Sequence, residues 1–443
     1  MDSGNINNPV GLGRPFYFLW CGETVSLIGT ALMEFALGVW VYQQSGSVLD
    51  FSGVVVAAVV PALFVMPFAG SIVDRFDRRY VMVAADITTA ILTLGLAWLL
   101  WRNTLEIKHL YGFNVLASLI GAFRMPAYNA SVSALLPKEK LTRANGLMGI
   151  SSNLLSMFAP LMAGGLMAAI GLPGIVSIDL FAFCLGSLLI LRAFFYLDQE
   201  GRGAKHEESS SDNSSLLITS KYFRQEPAML GLLFYVLLQD GLLTLVSTMI
   251  MPMILSRYSE EELGIVLTIG SIGGLLGSVF LATRSNFTRL MVGILAADVV
   301  LAISIMIAGV STSFIVYCTC AFFALFASGF SEGCSHSLWM RKIPNQYQGR
   351  IFSMMGVLIL STTASVTLFG GIVAEKFFEP ALMEGGALSM TMGSWIGTGK
   401  GRGLGLLFII CGFLGFVVTF SGFATKLRRL DLIVPDVALP SED

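Results

Sequence analysis

Charged side chains are scarce in this sequence. Asp, Glu, Lys and Arg make up 13% of its 443 residues, whereas hydrophobic residues make up 55% and the mean hydropathy is +0.77. A water-soluble domain of this size needs far more polar surface. The scarcity of charge therefore excludes a soluble protein, and the formal net charge of -2 excludes a strongly basic nucleic-acid-binding protein.

Residues typical of active sites and metal centres are also few. The sequence has three histidines, no phosphate-binding glycine loop and no nucleophile with a base at a readable spacing. Its six cysteines all lie inside apolar segments, without the spacing of a zinc site and without loops to join by a disulfide. We therefore expect no metal, no cofactor and no enzymatic activity.

Long apolar stretches are what the sequence does contain. Twelve stretches of roughly 20 or more mainly apolar residues are long enough to cross a bilayer as helices. The first is too long for a cleaved signal sequence. The sequence predicts an all-α integral membrane protein with twelve transmembrane helices in two pseudo-symmetric six-helix bundles. The stretches run over 16–42, 51–73, 80–101, 110–136, 144–170, 174–197, 228–255, 263–283, 290–310, 314–338, 351–373 and 404–424.

A polar, Ser-rich segment after the sixth stretch is typical of a flexible linker. It predicts an N-terminal bundle at 1–197, a cytoplasmic linker at 198–227, a C-terminal bundle at 228–425 and a cytoplasmic tail at 426–443. Twenty of the 27 Lys and Arg residues lie on the same side as the N-terminus and six on the other. By the positive-inside rule, both termini are cytoplasmic and the protein is a multi-pass protein of the cell (inner) membrane.

The two halves carry matching residues, which indicates an internal repeat. Such duplicated halves are how secondary transporters place a site at the midplane and alternate its access. Three pairs of identical residues are each separated by 207 positions: Gly70 and Gly277, Pro137 and Pro344, and Arg143 and Arg350.

The connection between the second and third stretches, GSIVDRFDRRYVMV, places five ionisable residues in six positions. A plain positive-inside anchor would explain its arginines but not its aspartates or its glycine. The glycine permits close helix approach, and the charges can fasten neighbouring helix ends. We predict a cytoplasmic gate made of Gly70, Asp74, Arg75, Asp77, Arg78 and Arg79.

These residues resemble the signature of the major facilitator superfamily, Gly-x-x-x-Asp-Arg-x-Gly-Arg-Arg/Lys, with Asp77 in place of the usual glycine. The Asp-Arg-aromatic-Asp-Arg-Arg version is similar to the branch of drug:proton antiporters that contains macrolide efflux proteins and the enterobactin exporter. The resemblance extends through 17–47, 125–147 and 401–410. It implies the major facilitator fold and a loop motif that acts as a latch stabilising the outward-facing state.

A second, weaker likeness lies in the fifth stretch. Drug and metabolite antiporters carry Gly-x-x-x-Gly-Pro-x-x-Gly-Gly there, and this sequence has leucine at the first glycine and alanines at two others. Ordinary helix-packing residues are the alternative interpretation, because small residues and a proline also allow close packing and bending. The antiporter-like motif comprises Ala159, Pro160, Ala163 and Gly164, followed by Gly165.

Six ionisable residues fall within helices 1, 4, 7 and 10, which line the central cavity in the superfamily fold that the sequence resembles. An ionisable group inside a span costs about 2.5–3.5 kcal/mol on insertion scales and usually faces a cavity or a partner. We expect proton coupling at the acidic residues and the histidine. The six are Glu23, Glu34, Arg124, Asp240, Glu332 and His336.

The roles of Glu34 and Arg124 stay open between alternatives. Glu34 either carries the coupled proton, forms a static ion pair with Arg124, or recognises a cationic substrate. Arg124 either neutralises Glu23 or Glu34, or binds an anionic substrate. Asp86, Asp179 and Asp298 lie in helices 3, 6 and 9, which are peripheral in the resembled fold, so we interpret all three as structural.

The resulting prediction is a proton-coupled secondary active exporter that moves lipophilic small molecules or natural products, macrolide- or siderophore-like, by alternating access. Its partners are the substrate, protons and the bilayer, with no nucleic acid, and a monomer is expected. The alternatives are an uptake transporter of a small metabolite and a non-transporting receptor or scaffold. Candidate substrate-cavity residues are Arg124, Phe35, Tyr128, Asn129, Tyr235 and Trp339.

Overall fold

The computed structural model describes residues 12–73, 76–199, 223–224, 226–283 and 289–434. Helix Lys138–Gln199 turns at Gly171, whose φ of 64° is left-handed and suits glycine, and its two parts are α5 (138–170) and α6 (172–199). The other long helices are α1 Arg14–Ser45, α2 Val48–Val73, α3 Arg78–Trp101, α4 Ile107–Leu135, α7 Pro227–Leu255, α8 Glu260–Thr283, α9 Leu290–Val310, α10 Phe314–Lys342, α11 Asn345–Val373 and α12 Arg402–Ala424.

These helices confirm the predicted architecture. Each predicted stretch corresponds to one long helix, and the described part of the chain contains no strand. Within the described ranges, ten segments are long and apolar enough to cross a membrane, one of which, Phe158–Tyr196, covers both α5 and α6. Since successive helices run in opposite directions, we call the side at which α1 begins the near side and the side at which α1 ends the far side.

Small residues bring helices of one half into close contact. In the N-terminal half, α1 and α6 approach so closely that a Cβ on Gly22 would lie 2.8 Å from the Gly186 carbonyl oxygen. In the C-terminal half, a Cβ on Gly309 of α9 would lie 2.5 Å from the Gly405 carbonyl oxygen of α12. Close packing of this kind holds membrane helices together where lipid provides no hydrophobic driving force.

The connection between α11 and α12 on the far side is folded. After α11 the chain continues through a π-helical turn, Ala374–Phe378, and the short helices Glu379–Leu382 and Gly393–Ile396. The guanidinium of Arg402, 1% exposed, donates to the carbonyl oxygens of Ile396 at 2.8 Å and Ser311 at 3.0 Å. These bonds tie the loop to the end of α9.

Part of the segment predicted as a cytoplasmic tail packs against the C-terminal half. Short helices at Lys426–Arg429 and Leu430–Ile433 place the buried Leu430 against this half. The Asp431 carboxylate accepts a hydrogen bond from the first turn of α9, at 3.0 Å from the nitrogen of Met291, and the Lys342 ammonium donates to the Asp431 carbonyl at 3.0 Å.

Candidate functional site

Each half of the protein encloses a cavity. The N-terminal cavity, about 350 Å³, lies among α1, α2, α3, α4 and α6. The C-terminal cavity, about 400 Å³, lies among α7, α9, α10 and α11. Apolar side chains form most of both walls, and ionisable side chains from α1, α4, α7 and α10 point into them. This is a typical composition for a small-molecule site.

An ion-pair cluster lies toward the near side of the N-terminal half. The Arg124 guanidinium donates to Glu23 at 2.6 Å and to Asp86 at 2.8 Å, and the Ser187 hydroxyl donates to Asp86 at 3.2 Å. The three charged side chains are between 1% and 11% exposed. Arg124 therefore pairs with Glu23, one of its two predicted partners, and with Asp86, which the sequence interpretation placed at the periphery.

Two further carboxylates lie nearer the far side, and both line the N-terminal cavity. The side chain of Glu34 on α1 is exposed to this space. Asp179 on α6 is only 1% exposed and accepts a hydrogen bond from the Thr93 hydroxyl at 3.2 Å. Its other oxygen, Oδ1, has no hydrogen-bond partner in the described part of the chain.

The C-terminal cavity brings together five residues that the sequence singled out. Asp240, Glu332, His336, Tyr235 and Trp339 all line it. The imidazole of His336 stacks on the ring of Phe352 with centroids 5.8 Å apart. The buried Asp240 Oδ2 and Trp339 Nε1 have no hydrogen-bond partner among the described residues. The cavity thus offers a free acceptor and a free donor beside aromatic surface.

Asp298 of α9, which the sequence interpretation placed at the periphery, also lines this cavity and is held by uncharged partners. The Tyr235 hydroxyl donates to Asp298 at 2.5 Å and the Ser331 hydroxyl donates to its other oxygen at 2.8 Å. Gln239 extends the network by donating to the Thr419 hydroxyl at 2.6 Å. A buried carboxylate with these donors needs no cation beside it.

The charged cluster and this neutral network occupy equivalent places in the two halves. Asp86 is eight residues after the start of α3, and Asp298 is eight residues after the start of α9. Arg124 and Ser331, which bind these aspartates, are separated by the same 207 positions as the matched sequence pairs. The two halves therefore place an aspartate and its partner at corresponding positions but surround the aspartate with different chemistry.

On the far side, hydrogen bonds join the two halves. Glu375, in the turn after α11, accepts from the Ser47 hydroxyl at 2.6 Å and from the backbone N–H of Leu49 at 2.7 Å. Its carboxylate thus caps the N-terminus of α2, where the helix dipole favours negative charge. Gln43 also donates to Glu260 at 3.3 Å. We call these contacts the far-side seal.

Glycines let the helices of the two halves touch within the same seal. A Cβ on Gly164 of α5 would lie 2.6 Å from the Glu260 carbonyl oxygen and 3.3 Å from Gly264 of α8. Gly371 of α11 is packed as closely against Ser52 of α2. The antiporter-like stretch of the fifth helix therefore lies at the junction between the halves.

The sequence pattern of the Major Facilitator Superfamily matches residues 19–366. This chain belongs to that superfamily.

Curated relatives of this superfamily member include efflux proteins. Macrolide efflux protein A of Streptococcus pyogenes is 24% identical over 365 residues, covering 82% of this chain and 89% of that protein. Multidrug efflux pump Tap of Mycolicibacterium fortuitum is 26% identical over 345 residues, covering 76% and 83%. The predicted resemblance to the efflux branch is confirmed at the level of family.

Solved transporter structures share the fold. A bacterial homologue of the iron transporter ferroportin in the inward-facing state aligns with a TM-score of 0.68 at 16% identity, over 92% of this chain and 98% of that one. A bacterial homologue of the lysosomal transporter Spinster, inward-facing and unoccupied, aligns with a TM-score of 0.67 at 14% identity, over 98% and 100%. The chain is a membrane transporter with the major facilitator fold.

Three of the predicted substrate-cavity residues lie away from both cavities. Phe35 and Tyr128 are 8% and 5% exposed and pack within apolar clusters of the N-terminal half. Asn129 is exposed on α4 and is not among the lining residues of either cavity. Arg124, in contrast, lines the N-terminal cavity even though Glu23 and Asp86 occupy its guanidinium.

The predicted gate motif is only partly described. Asp74 and Arg75 lie outside the described residues, and Gly70 falls at the end of α2. Asp77 is exposed and its carbonyl accepts the N–H of Tyr80 at 3.0 Å, within the first turn of α3, which begins at Arg78 and Arg79. The gating role of the motif stays a prediction.

Replacement of Glu375 by glutamine should weaken the far-side seal. Hydrogen bonds to a charged group contribute about 1.5–3 kcal/mol, so the population with a closed far side should fall about ten- to 150-fold. Spin labels at Gln44→Cys and Met390→Cys, both exposed far-side positions, would report the change as longer electron–electron distances once the six native cysteines are replaced by alanine.

Glu384→Gln is the matched control, because Glu384 is an exposed carboxylate of the same loop. An unchanged distance distribution in Glu375→Gln would mean that this carboxylate does not hold the halves together.

Proposed function

We propose that this chain is a proton-coupled exporter of lipophilic small molecules, working by alternating access across the cell membrane. One observation carries the proposal: each half holds a mostly apolar cavity whose wall contains carboxylates without a cationic partner in the described chain, Glu34 and Asp179 in one half and Asp240 and Glu332 in the other. Such groups can bind protons or a basic substrate.

The far-side seal supports alternating access. If the near side is cytoplasmic, as the distribution of Lys and Arg predicts, the halves meet at the outer surface and the structure corresponds to an inward-facing state. A substrate would then enter from the cytoplasm or the inner leaflet and leave after the seal opens. The efflux relatives support this direction of transport.

The C-terminal cavity is the proposed substrate site. It combines the rings of Tyr235, Trp339 and Phe352 with the carboxylates of Asp240 and Glu332. Aromatic and aliphatic surface suits a lipophilic molecule, and the few polar groups would fix its orientation. The N-terminal cavity, whose cation is already paired, is the proposed proton site.

Proton release from the purified protein in weakly buffered detergent tests the proposal. We expect release on addition of at least one compound from a panel of macrolides, peptides and siderophores. The same compound should give no release with Glu34→Gln, because the amide cannot exchange a proton. Glu106→Gln, at an exposed carboxylate paired with Lys108 at 2.7 Å, is the control and should behave as the wild type.

Binding without release would favour a uniporter, another coupling ion or a receptor. Full release with Glu34→Gln would remove this residue as the carrier. Transport in everted and right-side-out vesicles would separate export from uptake of a small metabolite, which the same fold permits.

A further inference from the structure

The interior of the N-terminal half contains more acidic than basic groups. Among the described residues of this half, the charged groups that are buried within the helices or line the cavity are the carboxylates of Glu23, Asp86, Glu34 and Asp179 and the guanidinium of Arg124. Arg124 already binds the first two of these carboxylates. The other two have no ion-pair partner in the described chain, and a second unneutralised negative charge in a membrane cavity is strongly disfavoured.

Glu34 and Asp179 face the same cavity at a similar depth. Glu34 is eleven residues from the far end of α1, and Asp179 is eight residues after Gly171 at the far end of α6. At a rise of 1.5 Å per residue these positions lie about 16 and 12 Å from the far side. Both side chains line the N-terminal cavity, so a charge on one disfavours a charge on the other across the same low-dielectric space.

One carboxylate oxygen of Asp179 accepts a hydrogen bond, and the other has no hydrogen-bond partner among the described residues. Thr93 donates to Oδ2 at 3.2 Å, whereas the buried Oδ1 has no partner among the described residues and points at α1 beside Gly29, where a Cβ would lie only 2.8 Å from it. A free acceptor oxygen on a 1% exposed side chain needs a proton or a donor.

We propose that Glu34 and Asp179 form one proton-binding site in which two carboxylates share a single proton. Release of this proton to water leaves two carboxylates, and uptake of a proton from water restores the shared state. Asp179 is then a proton-holding residue of α6 rather than a structural one. The inference rests on the proposed function for the use of this proton in transport, but the existence of the site does not depend on it.

The other elements around the site bring few competing groups. Among the described lining residues, α2 contributes no titratable side chain, α3 contributes the hydroxyls of Thr89 and Thr93, and Arg124 is the charged residue of α4. Glu23 and Asp86 lie toward the near side and are bound to Arg124. Among the described lining residues, a proton shared near the far side of the cavity therefore has only Glu34 and Asp179 as carboxylate hosts.

Infrared spectroscopy of the full-length protein at pH 7 tests the site without a substrate. The C=O band of protonated carboxyl groups should lose the intensity of one group in Asp179→Asn and in Glu34→Gln. The double variant should lose no more than either single variant, because removal of one negative charge removes the repulsion that favours protonation of the other. An unchanged band in Asp179→Asn, or a loss of two groups in the double variant, would overturn the proposal.

Two further variants test whether the infrared band belongs to the carboxyl groups of Glu34 and Asp179. Thr93→Val keeps the shape of the side chain but removes its donor, so it should move the band of the shared carboxyl, and a band that stays in place would contradict a role for Asp179. Glu106→Gln should leave the spectrum of protonated carboxyls unchanged, since the hydrogen bond and charge of Lys108 lower the pKa of the exposed Glu106.

Transport assays distinguish failure of this inference from failure of the proposed function. If a pH gradient drives no transport of the macrolide, peptide and siderophore panel by the wild type, the proposed coupling fails while the infrared result still decides whether the pair exists. If transport is proton-driven but the band losses are additive, only the shared site fails.

Discussion

Replacement of Arg124 by glutamine is expected to destabilise the protein by about 3–5 kcal/mol, because it leaves the buried carboxylates of Glu23 and Asp86 without their cation. A buried ion pair adds little net stability, because the attraction is offset by the loss of hydration. Removal of one partner is nevertheless strongly destabilising, because the other charge stays buried without compensation. Acidification should reduce the deficit, because protonated carboxyls no longer need a cation.

Thermal unfolding in detergent, followed by intrinsic tryptophan fluorescence, would measure this effect. Arg102→Gln is the matched control, because Arg102 is an exposed arginine that packs over Trp98 with 5.3 Å between its guanidinium carbon and the ring centroid. Its unfolding temperature should stay close to that of the wild type.

A triple variant separates charge from packing. With Glu23→Gln, Arg124→Gln and Asp86→Asn together, all three charges are gone, and the two acids keep their shape as amides. Most of the lost stability should return. A triple variant as unstable as Arg124→Gln alone would show that the cluster stabilises the half through packing rather than through neutralisation.

Gly164→Val is expected to prevent closure of the far-side seal. The new Cβ would lie 2.6 Å from the Glu260 carbonyl oxygen, a backbone atom that cannot move without shifting α8. Overpacking of this kind costs about 1–3 kcal/mol, which lowers the population with a closed far side by about five- to 150-fold. Transport should fall in proportion, because the state with a closed far side would be rarely occupied.

The neighbouring glycine provides a sharp control. Gly165 is exposed, and a Cβ there would meet nothing within 4 Å, so Gly165→Val should keep its activity. Gly264→Val, on the opposite helix, should reproduce the defect, since its Cβ would lie 2.7 Å from the Pro160 carbonyl oxygen. The Gln44 and Met390 spin labels report the change directly. A closed far side in Gly164→Val would show that α5 and α8 can separate without opening the seal.

The sequence was sufficient to predict the helices of this fold, because each membrane span is a local property of about twenty residues. Even the turn at Gly171 fell in the predicted gap between 170 and 174. Contacts between helices were harder to predict. Arg124 had Glu23 as a candidate partner because both lie in predicted cavity helices, but nothing in the sequence indicated that Asp86 of α3 faces the same point.

The positions of the aromatic side chains were also hard to predict from the sequence. Tyr235 and Trp339 line the C-terminal cavity, but Phe35 and Tyr128 pack inside the N-terminal half, because abundance does not say which face of a helix is turned inward. Glu375 was missed for another reason. Its partner lies more than 300 positions earlier in the chain, and the only local signal was an acidic residue directly after the apolar run of α11.

The divergence between Arg124 and Ser331 has a consequence for how this chain can vary. A change at Arg124 leaves the carboxylates of Glu23 and Asp86 without their cation. A change at Ser331 removes one hydroxyl donor from Asp298 and leaves the hydrogen bond from Tyr235 in place. We therefore expect Ser331 to tolerate substitution better than Arg124 does. New ligand preferences would then arise at lower cost around the C-terminal pocket, where a change leaves the ion-pair cluster of the other half undisturbed.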